Sequence, residues 1–284
     1  MDWQTLGSTP FLPPLYWRAA LKRKITGNTL PEQGLRCRVG VNPRDVAAYR
    51  KVCGFVESPI LPATYPHILA FGLQMQLLTA KAFPFPLLGL IHLSNRIRIH
   101  RPLGSINEMF IGVHAQNLQP HAKGATFDVV TCAEDSLGVL WEAESRMLCR
   151  GVKLDGDAAD DTPPAPVPAQ VCELTRWTAP ADIGRSYARV SGDYNPIHLS
   201  ALTAKGFGFP QAIAHGLWNK ARTLAALGEH LPAANVEIEV VFKKPVRLPS
   251  EVILHSSAAG SSGELCLKGG GDIEHMAGKW RPIG

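Results

Sequence analysis

The sequence predicts an α+β protein built from two related halves, and two observations carry this prediction. The first is an internal duplication, in which residues 38–54 align without gaps with residues 176–192. The second is that each half carries an apolar, helix-compatible segment followed by four strand-like segments. Two such copies in one chain indicate two equivalent units that bury their apolar faces against each other. The matching residues are Arg38 and Arg176, Tyr49 and Tyr187, Val52 and Val190, and Gly54 and Gly192.

The first half is predicted to contain one long helix and four strands. The helix covers the apolar run from about Pro62 to Ala82. Alternation of apolar and polar residues marks the strands, most clearly at Ile97, Arg98 and Ile99. The predicted strands are residues 89–101, 107–117, 125–134 and 138–149.

The second half repeats this order. The stretch Ala214–Leu217 corresponds to Ala70–Leu73 and opens a helix-compatible run to Leu227. Turns rich in glycine and serine, such as residues 260–263, predict antiparallel hairpins. The predicted strands are residues 235–244, 250–258, 263–269 and 271–280.

A compositional change separates the two halves. An acidic stretch at residues 155–161 precedes a proline-rich stretch at residues 162–168. This composition is typical of a stiff, extended and solvated linker, and a polyproline segment that binds a partner is the alternative. We therefore divide the chain into a first half of residues 1–150, a linker of residues 151–169 and a second half of residues 170–284.

Composition narrows the class of protein. A formal net charge of +5 without dense runs of Lys and Arg argues against a nucleic-acid-binding arm. The first residues do not read as a signal peptide, and no run approaches the ~18 apolar residues of a membrane helix, so a cytoplasmic protein without membrane association is predicted. The six cysteines show no Cys-x-x-Cys spacing, so neither a zinc site nor a disulfide framework is indicated.

One stretch of the second half carries the residues of an acid/base site. Asp193 and His198 stand on either side of Asn195 and Pro196. On a continuous helix the two side chains would point about 140° apart, so the helix is predicted to break at this Asn-Pro turn and let them converge. A carboxylate and an imidazole held together can grip a water molecule and move its protons. The alternative is an Asx turn at Asp193 with a surface histidine.

The same stretch resembles the signature of the MaoC-like, or hydratase 2, family. The resemblance rests on Tyr187, on the run Ser191-Gly192-Asp193-Tyr194-Asn195-Pro196-Ile197-His198 and on Ala204. It implies a double hot-dog fold, in which two antiparallel sheets each wrap a central helix and one chain forms a pseudo-dimer. It also implies that Asp193 and His198 are the catalytic pair, with Asn195 as a supporting polar residue.

Further roles follow from the resemblance at the start of the second central helix. Unpaired backbone N–H groups there suit a thioester oxygen that becomes an oxyanion, and Gly216 is the natural donor. Close helix packing explains a glycine equally well, and His215 is interpreted as a structural residue outside the catalytic set. Lys243, Lys244 and Arg247 are candidates for binding the phosphates of coenzyme A, and solvated charges at a strand end are the alternative.

The first half lacks the acid/base loop. After Gly54 it reads Phe55-Val56-Glu57-Ser58 at the place where the second half has Asp193-Tyr194-Asn195-Pro196. We therefore expect a catalytically silent first half that supplies the other wall of the pocket, and one active site per chain.

The activity that the resemblance implies is the reversible syn hydration of trans-2-enoyl thioesters to (R)-3-hydroxyacyl thioesters. This chemistry needs no metal or redox cofactor. Either coenzyme A or acyl carrier protein fits as the carrier of the acyl group, and a homodimer of double hot-dog chains is compatible with the fold. Two alternatives are a hot-dog acyl thioesterase, which would direct water at the carbonyl carbon, and a non-catalytic module that binds acyl thioesters.

Overall fold

A buried helix with mainly antiparallel strands around it forms the centre of each half of the chain. The computed structural model describes residues 2–158 and 171–284. The first half consists of β1 (Asp2–Leu6), α1 (Leu12–Leu21), β2 (Gln33–Gly40), α2 (Pro43–Cys53), α3 (Tyr65–Thr79), β3 (Ile91–Ile99), β4 (Glu108–His121), β5 (Gly124–Asp135) and β6 (Gly138–Arg150). The second half consists of β7 (Cys172–Ala179), α4 (Ile183–Ser191), α5 (Pro196–Leu199), α6 (Ala201–Lys205), α7 (Gly216–Leu227), β8 (Val236–Phe242), β9 (Ser250–Ser256), β10 (Gly263–Gly269) and β11 (Glu274–Pro282).

The strands of the described residues join into one eleven-stranded sheet, in the order β1-β2-β4-β5-β6-β3-β8-β11-β10-β9-β7. The two halves meet where β3 pairs antiparallel with β8, from Ser94 opposite Val241 to Ile99 opposite Val236. We call this pairing of β3 with β8 the seam. The strands before it in the order belong to the first half, and the strands after it belong to the second half. The double hot-dog fold predicted from the sequence is confirmed.

The central helices α3 and α7 fill the space that the sheet encloses. Eleven of the fifteen residues of α3 are buried, as are seven of the twelve residues of α7. A helix buried around most of its circumference has apolar residues on most of its faces rather than on one stripe. This explains why the α3 segment reads as a continuous apolar run.

Helices α2 and α4 are the structural counterparts that the duplication predicts. Each ends at a glycine in the left-handed region, Gly54 with φ 76° and Gly192 with φ 78°. The two helices pack against each other, and the buried rings of Tyr49 and Tyr187 lie 6.2 Å apart between them. Of the residues identical in the two copies, the glycines therefore mark a helix end and the tyrosines mark the contact between the halves.

The structure also contains elements that the sequence did not predict. The predicted strands are found with ends shifted by a few residues, and α3 is shorter at both ends than the predicted helix. Strands β1, β2 and β7 and helix α1 were not predicted. Within the described part of the chain, β1 and α1 have no copy in the second half, so the duplication gives no signal for them.

The predicted linker lies mostly outside the described residues, which stop at 158 and resume at 171. The division of the chain at residues 150 and 170 therefore stays a prediction. In the described part of the chain, every helix is too short or too polar to span a membrane.

Polar and charged side chains connect β3 to β8 from both faces of the sheet. Inside, the fully buried Lys220 of α7 donates from Nζ to Asn95 O at 3.0 Å, to Asn95 Oδ1 at 2.7 Å and to Ile238 O at 3.2 Å. Burial holds the pKa of Lys220 well below its ordinary value. On the outer face, Glu237 of β8 accepts from Arg98 of β3 at 2.8 Å and from Arg281 of β11 at 2.7 Å.

Replacing Lys220 with Met should destabilise the whole fold. The substitution keeps the length of the side chain but leaves acceptors of Asn95 and Ile238 buried without their donor, which costs about 2–3 kcal/mol of unfolding free energy. Urea denaturation measures this difference. Lys51→Met, at an exposed position of α2, is the matched control and should change stability little. Equal midpoints for the two variants would show that the Lys220 contacts do not hold the seam.

Candidate active site

The loop between α4 and α5 begins with a sharp change of chain direction. Helix α4 ends at Gly192, whose left-handed backbone is the conformation that glycine adopts most easily. A Cβ at this position would also lie 2.7 Å from Leu12 Cδ1. The predicted break at Asn195 and Pro196 was therefore placed too late. These two residues instead start the next helix, with Asn195 as its N-cap and Pro196 in its first turn.

His198 lies on the short helix α5 with its ring fixed by the backbone. Its Nδ1 lies 2.8 Å from Ile213 O, a carbonyl that can only accept, so Nδ1 carries the proton and Nε2 presents the lone pair. Burial lowers the pKa of His198 to about 3, and the neighbouring His215 adds to this effect. The imidazole is therefore neutral at ordinary pH and able to accept a proton at Nε2.

Asp193 is fixed through its backbone and one carboxylate oxygen. Its N–H donates to Ser191 Oγ at 3.1 Å, and its Oδ1 accepts from Asn195 N–H at 3.1 Å. The side chain remains 34% exposed. Burial raises the pKa of Asp193 above its ordinary value, while His198 and the Asn195 N–H act in the opposite direction. The carboxylate therefore holds a proton more readily than a surface aspartate does.

His215 joins this pair, and the sequence interpretation had left it outside. Its ring stacks on that of His198 with centroids 3.7 Å apart, and its Nε2 lies 3.0 Å from Asp193 O and 3.8 Å from Asp193 Oδ2. Its buried Nδ1 has no hydrogen-bond partner. Burial lowers the pKa of His215 to about 4. One signal could have indicated it: the duplication places His215 opposite Phe71, a polar residue where the first half has an apolar one.

The three side chains form a group with the composition of a metal site. Ligand-type atoms of Asp193, His198 and His215 all lie within 4.8 Å of one another. Both histidines already use one ring nitrogen on a backbone carbonyl, which leaves His198 Nε2, His215 Nδ1 and a carboxylate oxygen. The group can instead hold a water molecule, because a carboxylate oxygen and His198 Nε2 both accept hydrogen bonds.

The start of α7 supplies unpaired backbone donors beside this group. His215 is the N-cap of α7 without a side-chain capping bond, so the N–H of Gly216 lies at the positive end of the helix dipole. Its counterpart Gly72 lies inside α3, where amides bond to the preceding turn. The packing interpretation of Gly216 also has support, because a Cβ there would lie 3.2 Å from the ring of Phe242.

The equivalent place in the first half is occupied by a structural loop. Phe55, which follows Gly54 as Asp193 follows Gly192, stacks on Tyr49 with ring centroids 6.4 Å apart. The guanidinium of Arg50 donates to Val56 O at 2.7 Å and to Ser58 O at 3.0 Å. These contacts hold the loop in place, and the residues that make them do not form an acid/base pair. That the first half has no catalytic activity stays a prediction.

The candidate phosphate-binding residues follow β8 on the surface. Lys243 forms an ion pair with Glu274 at 2.7 Å, so its charge is already partly neutralised. Lys244 and Arg247 are exposed. The segment that holds Arg247 bridges to Ile213, the residue that orients His198. Of the three, Lys244 and Arg247 are the better placed to meet an anionic ligand.

Comparison with known proteins gives this arrangement a family. The MaoC like domain family matches residues 158–263. The chain is 37% identical over 232 residues to 3-hydroxyacyl-thioester dehydratase X of Mycobacterium tuberculosis, which covers 80% of this chain and 81% of that protein. The chain belongs to the MaoC-like family. The resemblance seen in the sequence is confirmed.

Two further similarities extend over most of this MaoC-like chain. The 3-hydroxyacyl-thioester dehydratase Y of Mycobacterium tuberculosis is 28% identical over 266 residues, which is 84% of this chain and 90% of that protein. A crystal structure of HtdX of Mycobacterium tuberculosis matches with a TM-score of 0.76 and 30% identity, over 88% of this chain and 100% of that one. The similarity therefore includes both hot-dog halves and not the acid/base loop alone.

A substitution at Gly184 of α4 should displace His198, although Gly184 is not itself a member of the candidate site. A Cβ at this position would lie 1.9 Å from His198 O, a backbone atom that cannot rotate away. We expect Gly184→Ala to lower the free energy of unfolding by about 1–3 kcal/mol, the usual cost of overpacking, and to shift the NMR resonances of the His198 ring. Gly7→Ala is the control, because nothing lies within 4 Å of a Cβ there. Unchanged stability and unchanged His198 resonances would contradict the close approach of α4 to α5.

Proposed function

We propose that this chain is a hydro-lyase that reversibly adds water to trans-2-enoyl thioesters and removes it from (R)-3-hydroxyacyl thioesters. One observation carries the proposal: a carboxylate and a neutral imidazole from one bent loop converge beside the uncapped start of α7. Membership of the MaoC-like family supports it, since relatives over most of the chain are named 3-hydroxyacyl-thioester dehydratases.

The backbone of α7 activates the thioester. The carbonyl oxygen accepts a hydrogen bond from Gly216 N–H, and the helix dipole stabilises the negative charge that the oxygen gains as C3 is attacked. Because the N–H is already oriented in the free protein, no rearrangement is needed when the charge develops. Gly216 thus acts through its backbone N–H. Because it has no side chain, the ring of Phe242 can pack closely against it.

Asp193 and His198 hold the water and exchange its protons. One member of the pair takes a proton from the water as its oxygen bonds to C3, and the pair delivers one proton to C2. The pair ends in the protonation state in which it began, and dehydration follows the same steps in reverse. Both additions come from one side of the substrate, so syn stereochemistry is expected.

The electrostatics of the pair fit this exchange. Burial disfavours the charged form of each group, so that it raises the pKa of Asp193 and lowers the pKa of His198. Because each group also acts on the pKa of the other, the two titrate as a coupled pair. His215 stacks on His198 and lowers the pKa of His198 further. The Nε2 of His198 therefore stays available as a hydrogen-bond acceptor.

The carrier of the acyl group is recognised by charge at the surface. Lys244 and Arg247 offer positive charge on the chain segments next to Ile213, which suits the phosphates of coenzyme A or of the phosphopantetheine of a carrier protein. Lys243 contributes less because it is paired with Glu274. A homodimer of such chains stays a prediction.

An assay with crotonyl-CoA tests the proposed reaction. Hydration removes the absorbance of the conjugated enoyl thioester without releasing thiol, whereas a thioesterase releases free coenzyme A, which a thiol reagent detects. We expect loss of absorbance, no thiol release and formation of the (R)-3-hydroxyacyl product. Thiol release at the same rate would select the thioesterase, and binding without turnover would select a non-catalytic module.

Loss of either acid/base group should remove most of the turnover. We expect Asp193→Asn and His198→Ala each to lower kcat by roughly 10²- to 10⁴-fold, the usual contribution of an acid/base group, while the protein remains folded. The matched controls are Asp157→Asn and His255→Ala, which replace the same residue types outside the candidate group. Turnover near that of the wild type in either site variant would exclude that residue from the proposed pair.

A further inference from the structure

Helix α1 presents an apolar face to solvent in addition to the one that it buries. Its buried side chains are Leu15 and Ala19. At its N-cap and along the helix, Phe11, Trp17 and Leu21 are 74%, 72% and 77% exposed. At ~100° per residue these three positions share an arc of roughly 120° that contains neither buried residue. We call the three the outer face of α1. A helix that buries one face normally carries polar residues on the other, so this face marks an interaction site.

Positive charge accompanies the outer face. Arg18 lies in the same arc, Arg23 and Lys24 follow the last turn of the helix, and all three are exposed. Arg18 bonds to the amide oxygen of Gln76 at 3.4 Å and Arg23 to a backbone carbonyl at 3.2 Å, which are uncharged groups that do not neutralise either cation. Residues 3–31 contain no acidic residue. The outer face therefore combines apolar side chains with net positive charge.

The inner side of α1 fixes the helix to the rest of the protein. The Nζ of Lys22 donates to Ala80 O, directly after α3, at 3.0 Å. The hydroxyl of Tyr16 donates to Gly192 O and accepts from Tyr194 N–H, the latter at 2.8 Å, so α1 is bonded to the acid/base loop. The helix is therefore a firmly attached part of the fold, and its outer face is presented to solvent close to that loop.

We propose that the outer face of α1 binds the surface of a membrane that contains anionic lipids. A helix that lies in a bilayer interface carries Trp, Phe and Leu on one side and Lys or Arg beside them, which is the composition of this helix and the residues that follow it. The rings of Phe11 and Trp17 suit the headgroup region, and Arg23 and Lys24 attract anionic headgroups. With 10 residues, α1 is about 15 Å long and lies along the surface. This inference goes beyond the proposed reaction and does not depend on it.

A protein partner fits these residues less well than a lipid surface does. In a twofold dimer the same patch meets itself, so that Arg18 and Arg23 would face like charges, and residues 3–31 offer no carboxylate to pair with them. An acidic protein would match the charge but would need hollows shaped for three side chains that project from a single helix. A fluid bilayer takes up such side chains without a preformed complement. The sequence-based prediction of no membrane association considered spanning segments and signal peptides, and an interfacial helix requires neither.

Co-sedimentation of the intact chain with lipid vesicles tests this inference. Vesicles of phosphatidylcholine with increasing fractions of phosphatidylglycerol should bind the protein increasingly well, and salt should weaken the binding. The double variant Trp17→Gln, Leu21→Gln should lower the partition coefficient by roughly 10-fold or more, because it removes the apolar side chains that enter the interface. The double variant Arg23→Gln, Lys24→Gln should lower it by roughly fivefold for each charge and reduce its dependence on salt.

Leu137→Gln, at an 81% exposed position, and Lys51→Gln, exposed on α2, are the matched controls and should bind vesicles as the wild type does. Absence of vesicle binding, or binding that the Trp17 and Leu21 double variant leaves unchanged, would overturn the proposal. So would a dimer in analytical ultracentrifugation, or a complex with acyl carrier protein, that forms in place of vesicle binding and is lost in that double variant. The assay measures binding alone, so its result stands whether or not the chain hydrates crotonyl-CoA.

Discussion

The antiparallel pairing of β3 with β8 is the constraint on which the rest of the structure depends. This pairing joins two half-sheets into one sheet. Without it, β3 and β8 would each be an edge strand with unpaired backbone groups. It also fixes α2 against α4 and brings the first half up to the loop of the second. The buried amine of Lys220 holds this arrangement from inside, because its acceptors lie on the two seam strands.

The candidate site follows from that arrangement and belongs to no single element. Helix α4 ends in the left-handed Gly192, Ile213 O orients the His198 ring, and His215 stacks upon it. The same exclusion of water acts on both titrating groups, favouring the protonated form of the carboxyl and the neutral form of the imidazole. Both shifts favour the neutral forms of the pair, a carboxylic acid that can donate a proton and an imidazole that can accept one.

Much of this could be predicted from the sequence, because the relevant signals are local or repeated. Apolar runs and the alternation of apolar and polar residues located α3, α7 and most strands, and the loop signature indicated Asp193 and His198. The contact of Lys220 with Asn95 could not be predicted, because Asn95 lies in the other half of the chain and Lys220 stands in no recognisable pattern. His215 was passed over for a related reason: a single histidine at a helix start has several explanations, and only its distance from His198 decides between them.

Fusion of the two halves into one chain has a consequence for how the protein can evolve. In a symmetric dimer of identical subunits every mutation appears twice, once near each loop, so a change that improves one site must be tolerated at its copy. Here Phe55 makes an aromatic contact at the position that Asp193 has in the second half, and within the described residues helix α1 lies in the first half alone. A half without the candidate pair can therefore change its side chains without changing the residues of that pair.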